Sequence, residues 1–141
     1  MKRRIFKKCI LSTAVIAGVC FLTLPVRADY GKGRELYLMK DYQNAMKQFM
    51  FDEDPGSLYM VAYMYEHGEG VTEDGAKASE WYMKAAEKGS VKAMYRLGVM
   101  YANGYGVDKD ENEAIKWFKK ASFKGFAPAK DALKRLTKGT D

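Results

Sequence analysis

The residues best equipped for chemistry are few. His67 is the chain's single histidine. Histidine is the usual general base at neutral pH, and with a serine and an aspartate it would complete a hydrolytic triad. No nucleophile motif accompanies it. The residue 36 positions later is Asn103, and both precede a glycine, so a polar side chain closing a helix is the simpler reading. Asp108, Asp110 and Asn112 match positions one, three and five of a calcium loop. Position six, which needs glycine, is Glu113, and position twelve, which needs a bidentate acid, is Lys119. The calcium reading therefore fails, and Asp110 reads as a helix cap. Asp52-Glu53-Asp54 offers charge for a basic partner, although three acids in a connection are ordinarily just solvated. The Trp and Tyr residues suggest ring stacking on a sugar, but they recur at helical spacing, which favours core packing. No catalytic residue, cofactor site or metal site follows from these patterns.

The positions of charge and cysteine bear on partners and compartment. The chain has 141 residues, 48% hydrophobic and 30% charged, with a net charge of +6. That mix suits one folded domain. Six Lys/Arg fall within residues 1–28, and the remaining 18 balance the 18 acidic residues. The basic excess thus belongs to the first segment, and a footprint for nucleic acid is not expected in the rest. Met1–Lys8 is basic, Cys9–Leu24 is uncharged and mostly apolar, and Pro25-Val26-Arg27-Ala28 follows. This is the pattern of a secretory signal peptide cut after Ala28. The apolar run would reach about 24 Å as a helix, short of a ~30 Å hydrocarbon core. Val19 and Phe21 on either side of Cys20 argue against a lipoprotein. Both cysteines lie in this segment, so residues 29–141 can form no disulfide. A periplasmic or secreted product is expected, meeting the membrane only through the signal before cleavage.

Residues 29–141 repeat with a period of 36. Tyr65, Gly68, Gly70, Val71, Asp74, Ala78, Trp81 and Gly89 return as Tyr101, Gly104, Gly106, Val107, Asp110, Ala114, Trp117 and Gly125. A fixed period of this size marks a solenoid. Ala114, Trp117, Phe118 and Ala121 follow i, i+3, i+4, i+7, as do Ala78, Trp81, Tyr82 and Ala85, each an apolar helical stripe. In the helix before, Ala93, Leu97 and Tyr101 share a face. Asp74 and Asp110 are placed to cap helix starts, and Glu113 completes a capping box with Asp110. Gly89 and Gly125 stand at helix ends. The spacing predicts helices over 31–39, 42–51, 57–67, 75–88, 91–102, 111–124 and 127–137, an all-α solenoid. In the last of these, Asp131 and Lys134 stand where Tyr95 and Gly98 stood, giving a polar cap.

Leu97-Gly98-Val99-Met100-Tyr101-Ala102-Asn103-Gly104-Tyr105-Gly106-Val107, followed by Ala114, Trp117-Phe118 and Ala121, resembles the Sel-1-like repeat family, as does Val61–Val71 with Trp81-Tyr82 and Ala85-Ala86. The resemblance runs from Ser57 to Gly125. Tyr30–Met50, with Leu36-Tyr37, Tyr42, Ala45 and Phe49, looks closer to the related tetratricopeptide unit. The resemblance implies a right-handed α-solenoid whose groove binds other proteins. It also implies an alternative, because some cysteine-rich relatives carry a β-lactamase label. This chain lacks their disulfides and the Ser-x-x-Lys motif, which disfavours an envelope hydrolase.

The expected function is therefore a non-enzymatic exported adaptor for a protein or peptide. In such an architecture the first helix of each pair lines the concave wall. Met60, Tyr63 and His67, with their counterparts Arg96, Val99 and Asn103, then form the candidate strip. It is apolar at the Met60–Tyr63 end and polar at the Arg96–Asn103 end, where Arg96 is suited to a partner carboxylate. Tyr59 and Tyr95 are assigned to packing between repeats.

Overall fold

The structure, a computed structural model, describes residues 30–138. The expected signal peptide and its cleavage point after Ala28 lie outside the described residues, so nothing structural bears on them. Seven helices follow in order among those described: α1 Tyr30–Leu38, α2 Tyr42–Asp52, α3 Pro55–His67, α4 Gly75–Glu87, α5 Val91–Asn103, α6 Glu111–Phe123 and α7 Ala127–Lys138. Each packs on its neighbours in sequence, so the hairpins α1–α2, α3–α4 and α5–α6 stack side by side, with α7 against α6. Among the described residues no helix is long and apolar enough to cross a membrane.

The helix starts have local causes. Asp74 accepts the Lys77 backbone N–H at 2.9 Å, and Asp110 accepts those of Asn112 and Glu113 at 2.9 and 3.0 Å. These bonds satisfy donors that the first helical turn leaves free. The backbone N–H of Lys77, and then its ammonium, hold the Asp74 carboxyl below the usual range. The expected capping box does not form. Glu113 turns to Lys116, and the Asp110 N–H donates to the Tyr101 carbonyl at 2.9 Å instead. The start of α3 also differs from expectation. Asp54 caps it, with Gly56 N–H at 2.8 Å and Pro55 in the first turn, where a missing N–H costs nothing. The helix therefore begins two residues before Ser57.

Close backbone approach sets the spacing of the stack. A Cβ on Gly98 would stand 2.6 Å from the Phe118 ring, and one on Gly33 would stand 2.6 Å from Phe49. The same small-on-large contact thus joins α5 to α6 and α1 to α2. Gly106 has φ 69°, and its Cβ would meet the Gly75 carbonyl oxygen at 2.1 Å. The Gly-x-Gly turn of one repeat therefore rests on the first residue of the preceding repeat's second helix.

Two apolar clusters result. The larger runs from α3 to α7 and includes Leu58, Tyr82, Leu97, Trp117 and Phe118. The smaller joins α1–α3 through Ala45, Phe49, Val61 and Met64. Trp81 and Tyr65 touch both clusters. Each Trp carries a lysine over its ring, Lys84 at 4.0 Å and Lys120 at 3.9 Å, so the cation–π contact repeats with the fold.

Candidate partner-binding site

The six strip residues come from the first helices of two consecutive repeats, α3 and α5. A lone helical stripe is buried by one neighbour. Here α3 and α5 are each flanked on two sides, and what remains open is narrow.

On α3, Met60 is half-buried against the smaller cluster. Tyr63 stacks on His67 with centroids 3.9 Å apart and planes 23° apart, and lies 6.5 Å from the Tyr59 ring. The four-residue step of the helix brings these rings above one another, so Tyr59, Tyr63 and His67 form a column. His67 is exposed, and its Nδ1 lies 2.9 Å from the Tyr63 carbonyl oxygen. The helix ends at His67, and Gly68 follows in the left-handed region, in keeping with a polar residue that closes a helix. On α5, Val99 is half-buried against the larger cluster, while Asn103 is exposed just before Gly104. Tyr59 meets Tyr82 at 5.4 Å, and Tyr95 meets Phe118 at 5.6 Å and Phe126 at 5.3 Å. Both tyrosines pack within the stack, as expected.

Arg96 behaves differently from its expected role. Its guanidinium forms an ion pair with Glu66 of α3, so the carboxylate it holds belongs to this chain. The Tyr82 hydroxyl donates to the other oxygen of Glu66 at 2.6 Å. Three helices thus meet at one carboxylate. Burial pushes the Glu66 carboxyl up, but hydrogen bonds from Arg96 and Tyr82 and the Arg96 charge outweigh it and hold the group below the usual range. Burial, then the bond to Glu66, raises Tyr82 far above an ordinary phenol. The Tyr105 hydroxyl reaches back to the Glu66 carbonyl at 3.2 Å and to Glu73 at 2.8 Å. Burial and then Glu73 push it up to about 12.

Sequence reasoning missed Glu66, although a signal existed. Thirty-six residues on, Glu66, Tyr82 and Arg96 become Ala102, Phe118 and Ala132. All three letters turn apolar together, which marks a shared site. The structure therefore brings Tyr63 and His67 together, sets Met60 and Val99 against the core, commits Arg96 internally and leaves Asn103 open. Among the described residues no group of three or more His, Cys, Asp or Glu is placed to hold a metal ion.

Comparison with known proteins fits this architecture. The Sel1 repeat family model matches residues 55–90 and 91–125. A Sel1 repeat protein from Oxalobacter formigenes is 37% identical with a TM-score of 0.74, over 77% of this chain and 46% of its own. The protein c5321, a protective antigen of uropathogenic Escherichia coli strains with an SLR fold, is 41% identical with a TM-score of 0.53. That match covers 57% of this chain and 18% of the antigen. Helicobacter pylori cysteine-rich protein B shares the fold at 23% identity and a TM-score of 0.62, over 77% of this chain and 97% of its own. The chain thus spans about half the length of the Oxalobacter protein. No curated protein matches it.

Proposed function

The chain belongs to the Sel1 repeat family, and from that membership we propose an exported adaptor that holds a protein or peptide partner along the first helices of its repeats. Sel1 repeats are protein-interaction modules, and the family is typically of the non-catalytic adaptor type. The observation that carries the site is the ring column on α3. Tyr63 and His67 stack on each other, and the outer ring is exposed. A rigid aromatic edge costs little entropy to immobilise, and aromatic side chains are enriched among binding hot spots. Asn103 offers an amide at the equivalent place one repeat later.

The internal ion pair decides the test. Arg96→Glu would set two carboxylates against a buried tyrosine and damage the fold, so Arg96 is left intact. A Tyr63→Ala, His67→Ala, Asn103→Ala variant should keep the parent's helicity. It should fail to retain the envelope partner that the parent captures by cross-linking. Undiminished capture would remove this strip from consideration. Export is a proposal on the same footing. N-terminal sequencing of the protein from an exporting cell should begin at Asp29, and a full-length product in the membrane would refute cleavage.

A further inference from the structure

The balance of charge over residues 29–141 hides a separation along the stack. Residues 30–76 carry four Lys/Arg against nine Asp/Glu, whereas residues 111–138, spanning α6 and α7, carry eight against three: Glu111, Glu113 (which pairs with Lys116) and Asp131. Lys119, Lys124, Lys130, Lys134, Arg135 and Lys138 are all exposed on or beside α6 and α7. Among them stands Phe123, 93% exposed at the end of α6. Lys116, Lys119, Lys120 and Phe123 share an arc of about 100° on α6, opposite the buried Ala114, Trp117, Phe118 and Ala121. The repeat does not demand this. One repeat earlier, Lys116, Lys119 and Phe123 correspond to Glu80, Met83 and Glu87.

We propose that α6 and α7 form a peripheral docking face for a bilayer of anionic phospholipid. Lysines near such a surface gain from its negative potential, and an aromatic ring gains from the headgroup–acyl boundary. A bilayer supplies both within one plane. A nucleic-acid duplex would use the lysines and leave the phenyl ring in water. The acidic half, α1–α3 with the α3–α4 turn, is repelled by the same surface. The molecule then stands on its C-terminal end and keeps the Tyr63–His67 column in solution. This inference does not rest on the groove reading, because its residues lie on other helices.

Co-sedimentation tests it, using the protein as an exporting cell releases it. Vesicles of about one-third phosphatidylglycerol in phosphatidylcholine are compared with pure phosphatidylcholine. The parent should bind the former and ignore the latter. Neutralising Lys119, Lys124, Lys130 and Lys134 to Gln should weaken binding more than a hundredfold, at about fivefold per lysine. Phe123→Ser should weaken it about fivefold while leaving binding to an oligonucleotide unchanged. Both variants change exposed positions and share the parent's N-terminus, and an unchanged melting curve confirms their fold. Equal binding to both vesicle types, or full binding by the four-site variant, would overturn the proposal. So would a Phe123 effect on single-stranded oligonucleotide in place of vesicles, which would assign the face to nucleic acid. Lysine-dependent self-association without vesicle binding would assign it to a second copy.

Discussion

Glu66 accepts from Tyr82 and pairs with Arg96 while half-buried, so its protonation state matters to folding. Its folded pKa is depressed. Its contribution is therefore present above the unfolded value, near 4.3, and is lost as pH falls through the lower folded value. Melting temperature should fall more steeply between about pH 5 and 3 in the parent than in Glu66→Gln, as followed by circular dichroism. Matching slopes would mean that other carboxylates, such as the Asp74 cap, account for the acid loss. Trp117 is 9% exposed, and Trp117→Ala should cost about 3–5 kcal/mol in a denaturant titration. Trp81 is only half-buried, and its truncation should cost less.

The helices were largely legible because their causes are local. A stripe such as Ala114, Trp117, Phe118 and Ala121 needs one helix to explain it, as does a cap such as Asp110. Two local signals differ from their expected roles. Asp54-Pro55 marks the true start of α3, and Glu113 prefers Lys116 over the cap. The Gly-x-Gly spacing recurs visibly in the sequence, but what it touches is not legible there, since its neighbour lies 31 residues away, at Gly75. That contact makes a prediction. Gly106→Ala meets a carbonyl as well as an unfavourable φ and should cost more than about 2 kcal/mol. Gly89→Ala, at φ 97° with open space around it, should cost about 1–2 kcal/mol. Equal losses in a thermal melt would show that conformation alone matters at both sites.

Across the whole molecule the two clusters are unequal. The smaller one draws on α1–α3, the larger on the five helices that follow α2. In a stacked chain each unit is held only by its neighbours, so the end with less buried apolar surface opens first. Amide exchange should be fastest in α1 and slowest in α5, and a single uniform protection factor would contradict this. Two whole-molecule properties were hidden from the sequence reading. Summing the charge concealed its separation between the two ends. Treating the repeats as equivalent concealed that one junction is ionic and the next is apolar.

That difference between junctions also bears on assembly errors. Units of the same shape can pair with the wrong neighbour, within a chain or by exchange between chains. If α7 settled against α3–α4 where α5 belongs, Ala132 would face Glu66 in place of Arg96, leaving a half-buried carboxylate without its cation. If α5 of a second copy settled in the place of α7, its Arg96 guanidinium would meet Ala102 and Phe118. Each misplacement strands a charge that the correct order satisfies, so the Glu66–Arg96 pair should disfavour scrambling of the stack. Arg96→Ala should accordingly refold with more domain-swapped dimer at high protein concentration than a variant equally destabilised elsewhere.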